Sequence, residues 1–255
     1  MPEGETDMEE TKSYGAFAGL YDVLTGDVQY EKRCDYLEEI FGKYAVKKPE
    51  LIADLGCGTG SVCKILSGRG YDMIGIDSSE EMLMEAISKR GDDNILYLCQ
   101  DMCDFELYGT VDAVLCMLDS VNYVTDPGEL MQMFMLVHNY LNPDGIFVFD
   151  VNTLHKFRDV LSDNVFVNDE NGVFYTWENS FDGEYCDFRL NFFVENNGLY
   201  TRITEEHSQR FYSIDELRDM LSGAGFEIEN VYSELKFDSP DEDDERIFFV
   251  ARAKK

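Results

Sequence analysis

The ten residues Leu51-Ile-Ala-Asp-Leu-Gly-Cys-Gly-Thr-Gly60 restrict the fold more than any other stretch of the chain. Leu51 to Leu55 is a short apolar run that carries one acid, Asp54. Gly56, Gly58 and Gly60 then alternate with small residues. Beyond them Val62, Ile65 and Leu66 recur on one helical face, so the stretch predicts strand, glycine loop, helix. Glycine is required where a backbone must turn sharply and lie against a ligand with no Cβ in the way. The first turn of a helix leaves N–H groups pointing at whatever sits in such a loop. The pattern predicts a site for a nucleotide-like cofactor.

Spacing narrows the cofactor. A dinucleotide fingerprint G-x-G-x-x-G would place its third glycine at position 61, where this chain has Ser61. A carboxylate at Asp54 suits a cofactor that carries an amine better than one that carries only a pyrophosphate. Asp54-Leu-Gly-Cys-Gly-Thr-Gly60 resembles the first motif of class I S-adenosylmethionine (SAM) methyltransferases. A nicotinamide-dependent oxidoreductase is disfavoured by the displaced glycine and by Asp54. A SAM-binding module without turnover stays open as an alternative.

Three further segments are consistent with this resemblance. Tyr71 to Asp77 is an apolar strand ending in an acid about 20 residues beyond the glycine loop, where a ribose-binding carboxylate belongs. A carboxylate can accept from both vicinal hydroxyls at once. Ser78-Ser-Glu-Glu81 predicts a capping box opened by Ser78. Ile95 to Met102 is another strand ending in an acid, Asp101. Val111 to Leu118 is nearly all apolar, as for a strand buried on both faces, and Asp119, Ser120, Asn122 and Tyr123 follow it.

The resemblance implies that the cofactor is held by Asp54, Gly56, Cys57, Gly58, Asp77, Ser78, Asp101, Met102 and Leu118. Within that set Asp77 takes the ribose, and Asp101 and Met102 take the adenine. It also implies that tyrosines of the N-terminal segment, Tyr14, Tyr21 and Tyr30, approach the methionine end. Asp119, Asn122 and Tyr123 then lie between cofactor and acceptor. The reaction so implied is in-line displacement of the SAM methyl group, leaving S-adenosylhomocysteine (SAH). No residue stands out as a base, and Asp119, Tyr123 and His207 are the candidates.

The Asp/Asn-Pro-Pro-aromatic signature of base-amine methylases and the Pro-Cys of cytosine C5 enzymes are both absent. Composition argues the same way. The chain has 21 Lys and Arg against 52 Asp and Glu, a formal net charge of −31. Nucleic-acid affinity comes largely from cations meeting phosphates, so neither nucleic acid nor an anionic membrane is an expected partner. The expected acceptor is a small molecule. No run of 18 apolar residues occurs, the first ten residues are polar, and the seven cysteines read as reduced and mostly buried, so the expected location is cytoplasmic. The three histidines show no metal-ligand spacing.

The expected architecture is α/β: a Rossmann-like, doubly wound, mostly parallel seven-stranded sheet with a C-terminal antiparallel strand. Residues 1–12 read as an acidic arm, and 13–151 with 213–255 as the SAM-binding domain, with a helical stretch over 13–48. Residues 152–212 change character, with short alternating segments and Asn-Gly turns, and predict an antiparallel β meander inserted as a substrate cap. Its aromatics predict a small core of their own. Trp177, the single tryptophan, and Arg210 are the cap's candidate acceptor contacts.

Overall fold

The computed structural model describes residues 28–170, 173–196 and 198–255. Tyr14 and Tyr21 lie outside them, as does the first part of the helical stretch expected over 13–48. The described part of that stretch forms helix α1, Tyr30–Tyr44.

Strands and helices then alternate: β1 Leu51–Leu55, α2 Ser61–Gly68, β2 Asp72–Asp77, α3 Glu80–Arg90, β3 Leu96–Cys99 and β4 Val111–Cys116. A 3-10 helix, Ser120–Tyr123, leads to α4 Pro127–Tyr140 and β5 Leu141–Asn152. Helix α4 starts where the sequence signals a start. Asp126 accepts from the N–H groups of Gly128 and Glu129, and Pro127 occupies the first turn. Helix α3 is capped one residue later than the sequence suggested. Ser79, not Ser78, accepts from Met82 N–H, because Asp77 has already claimed the Ser79 N–H.

The seven-stranded sheet has the order β10-β11-β5-β4-β1-β2-β3, closed by β10 Phe226–Ser233 and β11 Arg246–Ala253. β1 pairs in parallel with β2 and β4, and β5 with β4, while β11 is antiparallel to both β5 and β10. The turn Asn142-Pro-Asp-Gly145 loops out of register. β5 advances from Leu141 to Ile146 while its partner advances only from Val111 to Ala113. Side-chain alternation sends Phe147 and Phe149 to one face, with Phe134 of α4 and Leu217 of helix α5 (Ile214–Gly223). Val148 and Phe248 go to the other, with Leu37 and Ile40 of α1 and Leu66 of α2. Each such buried side chain contributes about 1.5–3 kcal/mol. Five cysteines are buried and Cys103 is half-buried. Cys99 is exposed because β3 is the sheet edge.

Between β5 and α5 the chain forms a separate antiparallel sheet, β6 Val165–Glu170, β7 Val173–Phe181, β8 Tyr185–Asn196 and β9 Leu199–Arg210, in that spatial order. A π-helical turn, Lys156–Leu161, precedes it. The inward face of this cap sheet has its own apolar core, in which Phe188, Leu190 and Phe192 pack with Phe157 of the π turn and with Met82 of α3. Met82 sits in the first turn of α3, so the cap closes against the carboxyl end of β2.

Candidate active site

The carboxyl ends of β1, β2, β3 and β4 converge on the glycine loop, as ligand sites in open parallel sheets do. Gly56, Gly58 and Gly60 all have positive φ, +66, +53 and +74°. A Cβ on Gly56 would come within 2.7 Å of Ser120 Oγ, so the loop can lie against the end of β4 only as glycine. A pocket here is lined by Tyr30, Asp54, Gly56, Cys57, Gly58 and Leu118, among others.

Asp54 is 2% exposed. The Cys63 thiol donates to its Oδ2 at 3.4 Å, and no cation lies against it among the described residues. Burial pushes its carboxyl up to about 7, opposed by the Cys63 bond and assisted by the Asp77 charge. A buried carboxylate without a cation is costly, and an ammonium group arriving in this pocket would relieve it. Asp77 is fixed in place by backbone bonds to both carboxylate oxygens. Its Oδ2 accepts from Gly58 N–H at 2.8 Å and its Oδ1 from Ser79 N–H at 2.9 Å. Burial raises its pKa against those backbone bonds. Ser78 contributes its carbonyl to the Cys99 thiol at 3.6 Å. Asp101 accepts from Cys103 N–H at 2.8 Å, and Met102 reaches back toward Gly56. The structure thus gathers Tyr30, Asp54, Gly56, Cys57, Gly58, Asp77, Asp101, Met102 and Leu118 around one loop.

The end of β4 is built less simply. Leu118 and Asp119 have φ of +57 and +54°, a left-handed conformation unfavourable for side chains of this kind. It is held from below by Asp150 of β5, fully buried, whose carboxylate accepts from Leu118 N–H at 2.9 Å and Asp119 N–H at 2.7 Å. Arg246 of β11 pairs with Asp150 and, at 2.6 Å, with Asp119. Gln209 of β9 donates to the other Asp119 oxygen at 2.5 Å. Glu234 bridges Arg246 to Arg33 of α1.

Asn122 is completely buried and acts as a brace. Its amide donates to Arg210 carbonyl, and its Oδ1 accepts from Asn152 N–H, both at 2.9 Å. Arg210 spends its guanidinium on Glu184 and Glu216, each at 2.9 Å, and lies over the Tyr212 ring. Trp177 packs between Phe166 and Phe188 in the cap. Tyr123 is 45% exposed at the mouth, its ring perpendicular to His207 at 5.9 Å. Arg246, Asp150 and Gln209 had no sequence signal at all. Tyr97 was visible only as a strand residue, yet its ring lies under the Gly75 backbone beside Cys57.

A methyltransferase-domain family model matches residues 52–145. A putative methyltransferase of Bacillus subtilis is 33% identical over 95% of this chain and 98% of that protein. The chain belongs to the SAM-dependent methyltransferases. A SAM-dependent methyltransferase from Clostridium acetobutylicum superposes with a TM-score of 0.86 at 31% identity, covering 95% of this chain and 99% of the other. An amino pentose methyltransferase of Micromonospora echinaspora, solved with SAM bound, shares the fold at TM-score 0.70 and 20% identity, each chain fully covered. The methyltransferase takes SAM as its methyl donor, and the uncompensated Asp54 carboxylate beside a glycine cradle fits that cofactor's amine. Among the described residues no helix is long and apolar enough to cross a membrane, and no cluster of His, Cys, Asp and Glu could hold a metal ion.

Proposed function

We propose that this methyltransferase moves the methyl group of SAM onto a small-molecule acceptor held between the cap sheet and the carboxyl ends of β1 and β4. The observation that carries this reading is the cap itself, whose aromatic inward face closes against Met82 at the cofactor end of the sheet. An enclosed, largely apolar chamber over a cofactor excludes water and admits ligands of limited size. The amino pentose acceptor named for the Micromonospora relative supports a small-molecule class.

In this reading Asp54 takes the ammonium of SAM, Asp77 its ribose hydroxyls, Asp101 and the Met102 N–H its adenine, and Tyr30 packs beside the methionine end. When bound, SAM supplies a methyl group on a sulfonium, already a good leaving group. The protein's task is then alignment, worth up to about 7–11 kcal/mol in favourable cases. Leu118 and Asp119, fixed by Asp150 and Arg246, form the rigid shelf against which donor and acceptor are lined up. The excess of acid makes a polyanionic acceptor unfavourable. The reading places the protein in EC 2.1.1.- and in the cytoplasm.

Calorimetric titration with SAM, SAH and NADH in parallel tests the cofactor assignment. SAM and SAH should bind at micromolar concentration and NADH should not. Asp77→Ala should weaken SAM by far more than ten-fold, and unchanged affinity would defeat the ribose assignment. Radiolabelled SAM offered with a panel of small amines and alcohols then identifies the acceptor.

A further inference from the structure

The ion network that holds Asp119 ends in an incompletely paired cation. Arg33, in the first turn of α1, is 7% exposed. Its Nη2 pairs with Glu234, which also faces Arg246 at 3.6 Å. The Nε and Nη1 donors of Arg33 are buried and have no acceptor among the described residues. Leaving buried charged donors unpaired is costly. A lysine would make the Glu234 pair without burying a planar fork of further donors.

Two further observations make this a ligand site. A cavity of about 330 Å3 lies beside Arg33, lined by Val28, Gln29, Arg33, Glu234 and Leu235. Its far wall, the turn after β10, is pinned to α1. Tyr36 OH donates to the Lys236 carbonyl at 2.6 Å, and Ser233 N–H donates to the Asp238 carbonyl at 3.0 Å. The cavity also takes in the amino end of α1, where Gln29 makes no side-chain cap bond. First-turn N–H groups add fractional positive charge there. Glu31, the acid of that turn, is engaged by Arg69 at 2.6 Å. An arginine, an open helix start and the apolar side chains of Val28 and Leu235 suit an anion on a small carbon frame.

The position of the cavity indicates which molecule brings the anion. Tyr30, one turn before Arg33 on the same helix face, lines the glycine-loop pocket. Glu234 leads through Arg246 to Asp119. The cavity therefore adjoins the Leu118–Asp119 shelf on the α1 side. The carboxylate of SAM stands on the same carbon as the ammonium assigned to Asp54. It therefore stays in the glycine-loop pocket, whose lining does not include Arg33. A chain of net charge −31 opposes polyanions, which favours a ligand with one negative charge.

We propose that Arg33 and the start of α1 form an acceptor subsite, and that the methyl acceptor carries a single carboxylate. This rests on the methyltransferase reading above. The carboxylate accepts from the Arg33 guanidinium and lies at the positive end of α1. The acceptor's nucleophilic atom then lies over the Leu118–Asp119 shelf. Glu234, shared by Arg33 and Arg246, ties the anchor to that shelf.

The test uses the full-length protein with 15N-labelled arginine, with and without saturating SAH. The Arg33 Nε–H signal is assigned by triple-resonance spectroscopy and confirmed by its absence in Arg33→Lys. Sodium acetate and sodium propionate should shift it saturably, whereas neutral acetamide and doubly charged sulfate should not. In Arg33→Lys, which keeps a cation for Glu234, propionate affinity should fall by about ten-fold or more, and SAH affinity should hold. A wild-type Arg33 signal that ignores both carboxylates, or that acetamide or sulfate moves equally, overturns the proposal. A ten-fold loss of SAH affinity in Arg33→Lys also overturns it, by giving Arg33 to the cofactor's carboxylate. Failure of SAH to bind the wild type would instead strike the cofactor assignment, and the samples without SAH report the carboxylate response separately.

Discussion

Asp77 finds both of its partners nearby, at Gly58, 19 residues away, and at Ser79, two residues away. Asp119, across the same cleft, finds its partners at Gln209 and Arg246, 90 and 127 residues away. The donor side of the cleft is therefore assembled from adjacent strand–loop–helix units. The side that holds Asp119, which the proposed function turns toward the acceptor, is assembled from three pieces of chain distant in sequence. Local construction makes a side robust and readable. Long-range construction makes it dependent on a few buried charges.

The sharpest way to break this contrast is Arg246→Met. It leaves Asp150 fully buried and Asp119 part-buried with no cation, and removing one partner of a buried ion network costs about 3–5 kcal/mol. Urea unfolding should show a loss of that size. A loss below about 1 kcal/mol would mean that the Leu118–Asp119 shelf is held by packing and that the two sides are not built differently.

Gly75→Ala probes the donor side. A Cβ there would stand 2.6 Å from the Tyr97 ring and 2.9 Å from Cys57 Sγ. Overpacking of this kind costs about 1–3 kcal/mol, and the displaced Cys57 should weaken SAM in calorimetry. Stability lost with SAM affinity intact would show that the glycine loop does not depend on its neighbour strand.

The most gradual effect, smallest per unit of the variable changed, is one of pH. The Asp54 carboxyl sits at about 7 in the folded protein, above its unfolded value, so the folded state holds the extra proton. This group's contribution to stability is therefore greatest at low pH and falls as pH rises from about 4 to about 7. An ammonium beside Asp54 favours the ionised form, so SAM affinity should rise with pH up to about 7, by at most about ten-fold per unit. Asp54→Asn should flatten both slopes. A pH-independent SAM affinity in the wild type would remove Asp54 from the cofactor's amine.

The same contrast explains what the sequence disclosed. The alternation of strands and helices and the acid at each strand's carboxyl end were legible because each depends on periodicity and turn chemistry within a short window; the doubly wound sheet was legible only through the family resemblance. The helix cap at Ser79 was misplaced by one residue because Asp77, bonded to Ser79 N–H, altered the local competition. Asp119 and Asn122 were recognisable as polar residues after a strand. Their partners were not, since nothing near Arg246 or Gln209 in the chain indicates that β11 and β9 will pass beneath and above Asp119. Arg210 reads in the sequence as a candidate acceptor contact at the end of the meander, yet Glu184 and Glu216 take up its charge in the folded cap.

Asn122 has one further consequence. With Asn152 it ties the point where the chain leaves β5 to the point where β9 returns, since Asn152 donates to Gln209 at 3.1 Å and Asn122 to the Arg210 carbonyl. Entry and exit of the four-stranded sheet are thus clasped by one pair of amides at the rim of the cleft. A different sheet with the same two attachment points could be exchanged there without disturbing the glycine loop. On the proposed function, such an exchange would inherit the donor chemistry whole and rewrite only the choice of acceptor.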